Sequence, residues 1–194
     1  NLYAYVENDP VNGIDPTGLY TCDETADCEK FEEARQNLIS YRDEFDSESE
    51  EYSLLNASLT SIGEPGEGEM VISGAAYYVN PDGSINNSVG ATIQGNNMTV
   101  YSEGSRSLNP FVSDAQQLAT VLAHEANPTH MLPYSSREEL LNQEIEGYRA
   151  GYAAQRGLDS IQGVNSRILN EADLRQMAEG SVFLVCQADA RFCR

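Results

Sequence analysis

The chain has 194 residues, with 31 Asp and Glu against 11 Lys and Arg, a formal net charge of −20, 40% apolar residues and no Trp. That length suits one domain with a buried core. The charge opposes broad binding to DNA, RNA or anionic lipid, since a phosphate surface would repel it, and no apolar run reaches the roughly 18–20 residues needed to span a bilayer. Position 1 is Asn and no basic leader follows, so the sequence reads as a piece of a longer protein. Lys30 is the only lysine among the bases, a pattern that fits compositional drift or, as the alternative, a protein evading lysine modification in a eukaryotic cytosol. The four cysteines, Cys22 with Cys28 and Cys186 with Cys193, fit disulfides formed outside a reducing compartment. Neither pair is a CxxC zinc-ribbon unit, and both local and end-to-end pairings remain open.

Residues 1–19, NLYAYVENDPVNGIDPTGL, run from a short aromatic stretch into two turn units, Asp9-Pro10 and Asp15-Pro16. The phrases NLYAYV, NDPVN and DPTGL (Asp15 to Leu19) closely resemble the end of the core domain of Rhs (YD-repeat) proteins. The resemblance implies a β-cage core that cuts itself after the leucine of its DPxGL motif in an aspartyl-protease-like reaction. It places the junction between Leu19 and Tyr20 and makes Asp15 one of two catalytic carboxylates, the other lying upstream. Residues 20–194 become a variable C-terminal toxin. The resemblance also implies confinement in the Rhs core cage, translocation into a target cell, and a cognate immunity protein in the producer. Residues 1–19 hold three of the 31 acids (Glu7, Asp9, Asp15) and none of the 11 bases, so the remainder keeps a charge of −17. Such a surface favours a basic partner face.

Within 20–194, residues 23–52 read as an acidic helix, with Phe31, Ala34, Leu38, Tyr41 and Phe45 on one stripe. Residues 61–69 form a Gly/Pro/Glu connector. Met70–Val79 and Gly90–Tyr101 read as antiparallel strands around the turn Asn80-Pro81-Asp82-Gly83, with Gly95-Asn96-Asn97 as a second tight turn. A helix follows from Ser113 or Asp114 to about Asn127, where Pro128 interrupts it. Ser136-Arg137-Glu138-Glu139 is a capping box for a helix reaching Arg156, with Gly157 as C-cap. A short helix over Glu171–Ala178 precedes a strand, Ser181–Cys186. The fold class is α+β, helices on a small antiparallel sheet.

Both histidines lie in His124-Glu125-Ala126-Asn127-Pro128-Thr129-His130. A zincin helix uses H-E-x-x-H, where four residues make about one turn and aim both imidazoles at one metal. Without Asn127-Pro128 the segment reads HEATH. In a continuous helix, positions i and i+6 lie about 240° apart, so shared ligation requires Pro128 to turn the chain back. The order of hairpin, HE helix and Glu-bearing helix resembles small gluzincin-like metallopeptidase toxin domains. The resemblance implies zinc held by His124, His130 and Glu144, with Glu125 as general base and a protein substrate in the target cell. Glu146 is the rival third ligand. Tyr148, Tyr134 or Arg149 would supply the oxyanion donor.

Three other readings stay open. Glu144-Ile145-Glu146 is an ExE like that of ADP-ribosyltransferase toxins, Cys186 with a histidine would make a Cys/His hydrolase, and a non-catalytic binding module needs neither. There is no GxSxG, Walker, Rossmann or PCxxC motif.

Overall fold

The computed structural model describes residues 19–66, 70–80 and 82–188; Asp15 and Cys193 lie outside them. The chain enters as β1 (Leu19–Cys22), then α1 (Cys28–Arg42) and α2 (Glu50–Ile62). The single helix expected over 23–52 is therefore two. Asp46 accepts a hydrogen bond from the Glu48 amide, and the Ser49 hydroxyl accepts one from the Tyr52 amide. These short polar side chains draw backbone amides away from a continuing helix.

Next come β2 (Glu64–Pro65), β3 (Met70–Ala75), β4 (Tyr78–Val79), β5 (Ile85–Asn86), β6 (Ala91–Gln94) and β7 (Asn97–Tyr101). The main sheet runs β2-β1-β3-β7-β6, while β4 and β5 form a separate hairpin. The Asn80 amide donating to the Ser84 carbonyl closes that small hairpin, and the turn at 95–96 closes the antiparallel β6–β7 pair. The remaining pairings, β1 with β2, β1 with β3 and β3 with β7, are parallel. The α+β class holds, with a mixed sheet whose antiparallel part is β6–β7.

The helical half comprises α3 (Asp114–Glu125), a 3₁₀ helix (Pro128–Met131), α4 (Arg137–Ile161) and α5 (Glu171–Ala188). Gly157 does not end α4. It lies inside the helix where a Cβ would come within 2.7 Å of Tyr41 on α1, so its role is close helix approach, and Gln162 is the C-cap. The expected strand Ser181–Cys186 is the last part of α5. Ala178 and Val182, one turn apart, bury against Leu140, Leu141 and Ile145 of α4, and this packing overrides the strand propensity of the β-branched run.

The larger core joins Tyr20, Phe31, Leu38, Leu55, Ile72, Met98, Leu118, Leu122 and Leu158 across sheet and helices. The expected junction between Leu19 and Tyr20 falls inside β1, and Tyr20 is only 2% exposed. Its hydroxyl donates to Glu32, which also receives the buried Arg35; Arg35 reaches Glu64 at 2.6 Å. A disulfide joins Cys22 on β1 to Cys28 at the start of α1. Among the described residues, no helix is long and apolar enough to cross a membrane.

Candidate metal centre

A reciprocal capping box starts α3. The Ser113 hydroxyl accepts from the Gln116 amide at 3.1 Å, and the Gln116 side chain accepts from the Ser113 amide at 2.9 Å. Such a cap contributes about 1 kcal/mol and sets the phase that delivers His124 and Glu125 in the last turn. The helix stops at Ala126. The Asn127 side-chain Oδ1 then accepts from the Thr129 amide at 3.0 Å and the Thr129 hydroxyl at 2.8 Å, capping the 3₁₀ helix. The side-chain Nδ2 of Asn127 donates to the Glu146 backbone carbonyl on α4 at 3.5 Å. With the helix broken here, the i/i+6 divergence no longer applies: the His124 and His130 rings meet edge to face, centroids 4.8 Å apart.

Glu144 on α4 completes a cluster. One ligand atom from each of His124, His130 and Glu144 lies within 4.8 Å of the others, and Glu144 Oε2 is 3.6 Å from His124 Nε2. Glu125 straddles the histidines, its two oxygens 4.0 Å from His124 Nε2 and from His130 Nδ1. The side chains of His130, Glu144 and His124 are 9%, 12% and 15% exposed, so their charges are poorly screened. Glu146, the rival ligand, instead faces Arg149 at 3.8 Å.

The backbone fixes the His130 ring. Its Nε2 lies 3.0 Å from the Gln143 carbonyl. A carbonyl only accepts, so Nε2 carries the proton and Nδ1 keeps its lone pair. Gly147 makes the room: a Cβ there would collide with His130 Nε2 and come within 3.0 Å of His124 Cε1 and Nε2.

These contacts move the titrating groups. Burial pulls the His124 imidazolium down, but its hydrogen bond to Glu144 and the charges of Glu125 and Glu144 outweigh this and set its pKa above the usual value. Burial pushes Glu125 up to about 7, and burial with the His124 charge pulls His130 down to about 4. Burial would raise Glu144, yet the hydrogen bond from His124 and both imidazole charges hold it low.

The cluster borders a groove of about 730 Å³, walled by β6, the β4–β5 hairpin, α3, α4 and α5. His124, Glu125 and Glu144 line it, as do Tyr148, Tyr152 and Ser181. The Tyr148 ring packs edge-on to His124 at 4.6 Å, and burial pushes its phenol up. The other two donor candidates have different surroundings. Arg149 bridges Glu50 at 3.2 Å and Glu171 at 2.7 Å, and Tyr134 packs against the α4–α5 cluster. Glu144-Ile145-Glu146 lies within helix α4 and on no strand. Cys186 is disulfide-bonded and so holds no thiol for Cys/His chemistry.

Three contributors escape a reading of the sequence. Gly147 had a signal: a glycine inside an otherwise strong helix costs about 1 kcal/mol against alanine, and so marks a close approach. Asn127 two residues before Thr129 is a local cap pattern. Ser181 had no signal, since its partners come from another helix.

Two imidazoles and a carboxylate, of which His124 and Glu144 line the groove, are a donor set that fits a divalent transition metal, with room left on the groove side for a water or substrate oxygen. Ligand atoms of a tetrahedral zinc site stand roughly 3.3 Å apart on its usual bond lengths, so the cluster would contract modestly on binding. Comparison with protein-family models, curated proteins and solved structures finds no match to this chain.

Proposed function

We propose that residues 20–194 are a zinc-dependent peptidase, deployed as a toxin from an Rhs-type core and acting on a target-cell protein. The observation that carries this reading is the helix break at Asn127, which sets His130 beside His124 and opposite Glu144 at the edge of a groove. His124, His130 and Glu144 would hold the ion. Bound zinc would polarise a peptide carbonyl and lower the pKa of a water. Glu125, with a pKa of about 7, is matched to taking that water's proton and returning it to the leaving amine. Tyr148 stands beside His124 as the donor for developing oxyanion charge. Among the described residues, the edge strand β6 pairs only with β7, and it contributes Ala91 and Thr92 to the groove. Its free backbone groups suit an extended peptide. The Rhs setting rests on DPTGL, and with it the immunity protein as a partner.

The test is metal stoichiometry of the purified chain combined with toxicity on expression. About one zinc per chain, lost in His124→Ala, is expected. Glu125→Gln should keep the zinc and abolish both proteolysis and toxicity. A metal-free wild type, or a fully toxic Glu125→Gln, would sink the proposal.

A further inference from the structure

Helix α5 has two apolar faces. Ala178 and Val182 form the first, buried against α4. Met177, Ser181, Leu184 and Val185, at i, i+4, i+7 and i+8, form the second, and all four wall the groove. The middle of this second face stands at the metal-binding cluster: the Ser181 hydroxyl is 2.7 Å from the Tyr148 hydroxyl, and the Tyr148 ring packs edge-on to His124. Along the helix axis Met177 lies about 6 Å before Ser181, and Leu184 about 4.5 Å beyond it. Residues of an extended peptide repeat about every 3.3 Å. The side chains that flank a carbonyl held at the cluster therefore fall within reach of Met177 and Leu184.

These two side chains are not used up by the fold. Met177 is 42% and Leu184 55% exposed, so both keep apolar surface that gains by being covered. The charge of the groove is equally selective. Its only acids are Glu125 and Glu144, both at the cluster, and no Lys or Arg lines it. An acidic side chain entering beside α5 would meet no cation and would face a strongly acidic domain.

We infer that the Met177–Leu184 face of α5 determines specificity: the groove takes an extended peptide that seats an aliphatic side chain, next to its scissile bond, on these two residues, and it rejects an acidic side chain there. This rests on the peptidase reading proposed above. It gives α5 a role that its burial on α4 does not, that of the wall against which the substrate is read.

The probes are short fluorescein-labelled Gly/Ser peptides whose central residue is Leu, Ala or Glu. Binding to the metal-free full chain is read by fluorescence anisotropy, and cutting by the zinc-loaded full chain is read by mass spectrometry. The Leu peptide should bind about tenfold tighter than the Ala peptide or more, the Glu peptide should bind weakest, and the zinc-loaded chain should cut beside Leu. Leu184→Arg should reverse the order, with Glu above Leu, while zinc content and far-UV circular dichroism stay those of wild type. If Leu184→Arg does not fold, Met177→Arg takes its place with the same expectation. Should wild type bind the three peptides within twofold of one another, or should the arginine variant leave their order unchanged, the inference alone is overturned. A chain that sediments as a dimer, and as a monomer in Leu184→Arg, would show this face covered by a second copy and would also overturn it. A zinc-loaded wild type that binds the Leu peptide best yet cuts none of them overturns the peptidase reading itself.

Discussion

Gly147 on α4 lies so close to the His130 imidazole that a β-carbon there would collide with Nε2. Gly147→Ala should therefore act on the site in spite of its better helix propensity. The propensity gain is about 1 kcal/mol, and overpacking costs about 1–3 kcal/mol. The net effect on metal-free stability should be small or unfavourable, while the rise in Tm on adding zinc should largely vanish because His130 is displaced. Calorimetric scans with and without zinc check this, and an undiminished zinc-induced rise would contradict it.

Asn127 has its side chain shared between the 3₁₀ helix and α4. Asn127→Ala removes a buried cap and should cost about 1–2 kcal/mol, read as a lower urea midpoint. Its effect on zinc affinity should be larger than that of Ser113→Ala, which removes the cap at the far end of α3. Equal effects of the two variants on affinity would show that the Asn127 turn does not position His130.

The pH dependence of the metal-free protein should carry the mark of Glu125. Burial raises its pKa from the ordinary 4.5 to about 7. Between those values the folded protein holds a proton that the unfolded chain has released, so stability falls as pH rises through that window. Glu125→Gln has no proton to lose. It should raise the Tm of chelator-treated protein at pH 8 and change it little at pH 4.5. A stabilisation of the same size at both values would rule out this origin.

The two carboxylates on Arg35 should differ sharply. Glu64 is 67% exposed on its side chain, and Glu64→Ala should cost at most about 1 kcal/mol. Glu32 also accepts from the buried Tyr20 hydroxyl. Glu32→Ala would strand that hydroxyl and part of Arg35, and should cost about 1–3 kcal/mol in urea unfolding. Burial pushes the Glu32 carboxyl up, but hydrogen bonds from Arg35, Tyr20 and Gln36 outweigh this and hold it below its usual value. Its contribution should accordingly persist at neutral pH and fade as pH falls below about 4.5.

Local chemistry was legible in the sequence. The starts of α3 and α4 at Ser113 and Ser136 are written in side chains that bond amides within three residues. The two histidines lie within seven residues of each other in the sequence, with Pro128 between them to turn the chain, and the candidacy of Glu144 came from the resemblance to gluzincin-like domains. Non-local facts were hidden. That β3 would pair in parallel with β7 depends on strands far apart in sequence, and the turn signal at 80–83 served equally well for a smaller hairpin. The run Ser181–Cys186 reads as strand until the apolar face of α4 is present to bury Val182. Gly157 reads as a helix stop until Tyr41 stands against it.

The place of β1 in the sheet bears on the order of folding. It precedes every other element described, yet lies between β2 and β3, with Leu19 opposite Glu64 and Tyr20 opposite Met70. Both neighbours leave the ribosome only after α1 and α2. The sheet therefore cannot be assembled strand by strand as the chain emerges: its centre must wait for later sequence, and such distant contacts slow folding. A domain wired this way leaves its first strand without its sheet neighbours until β2 and β3 have been made, and completes the sheet only once the chain has run on through β7.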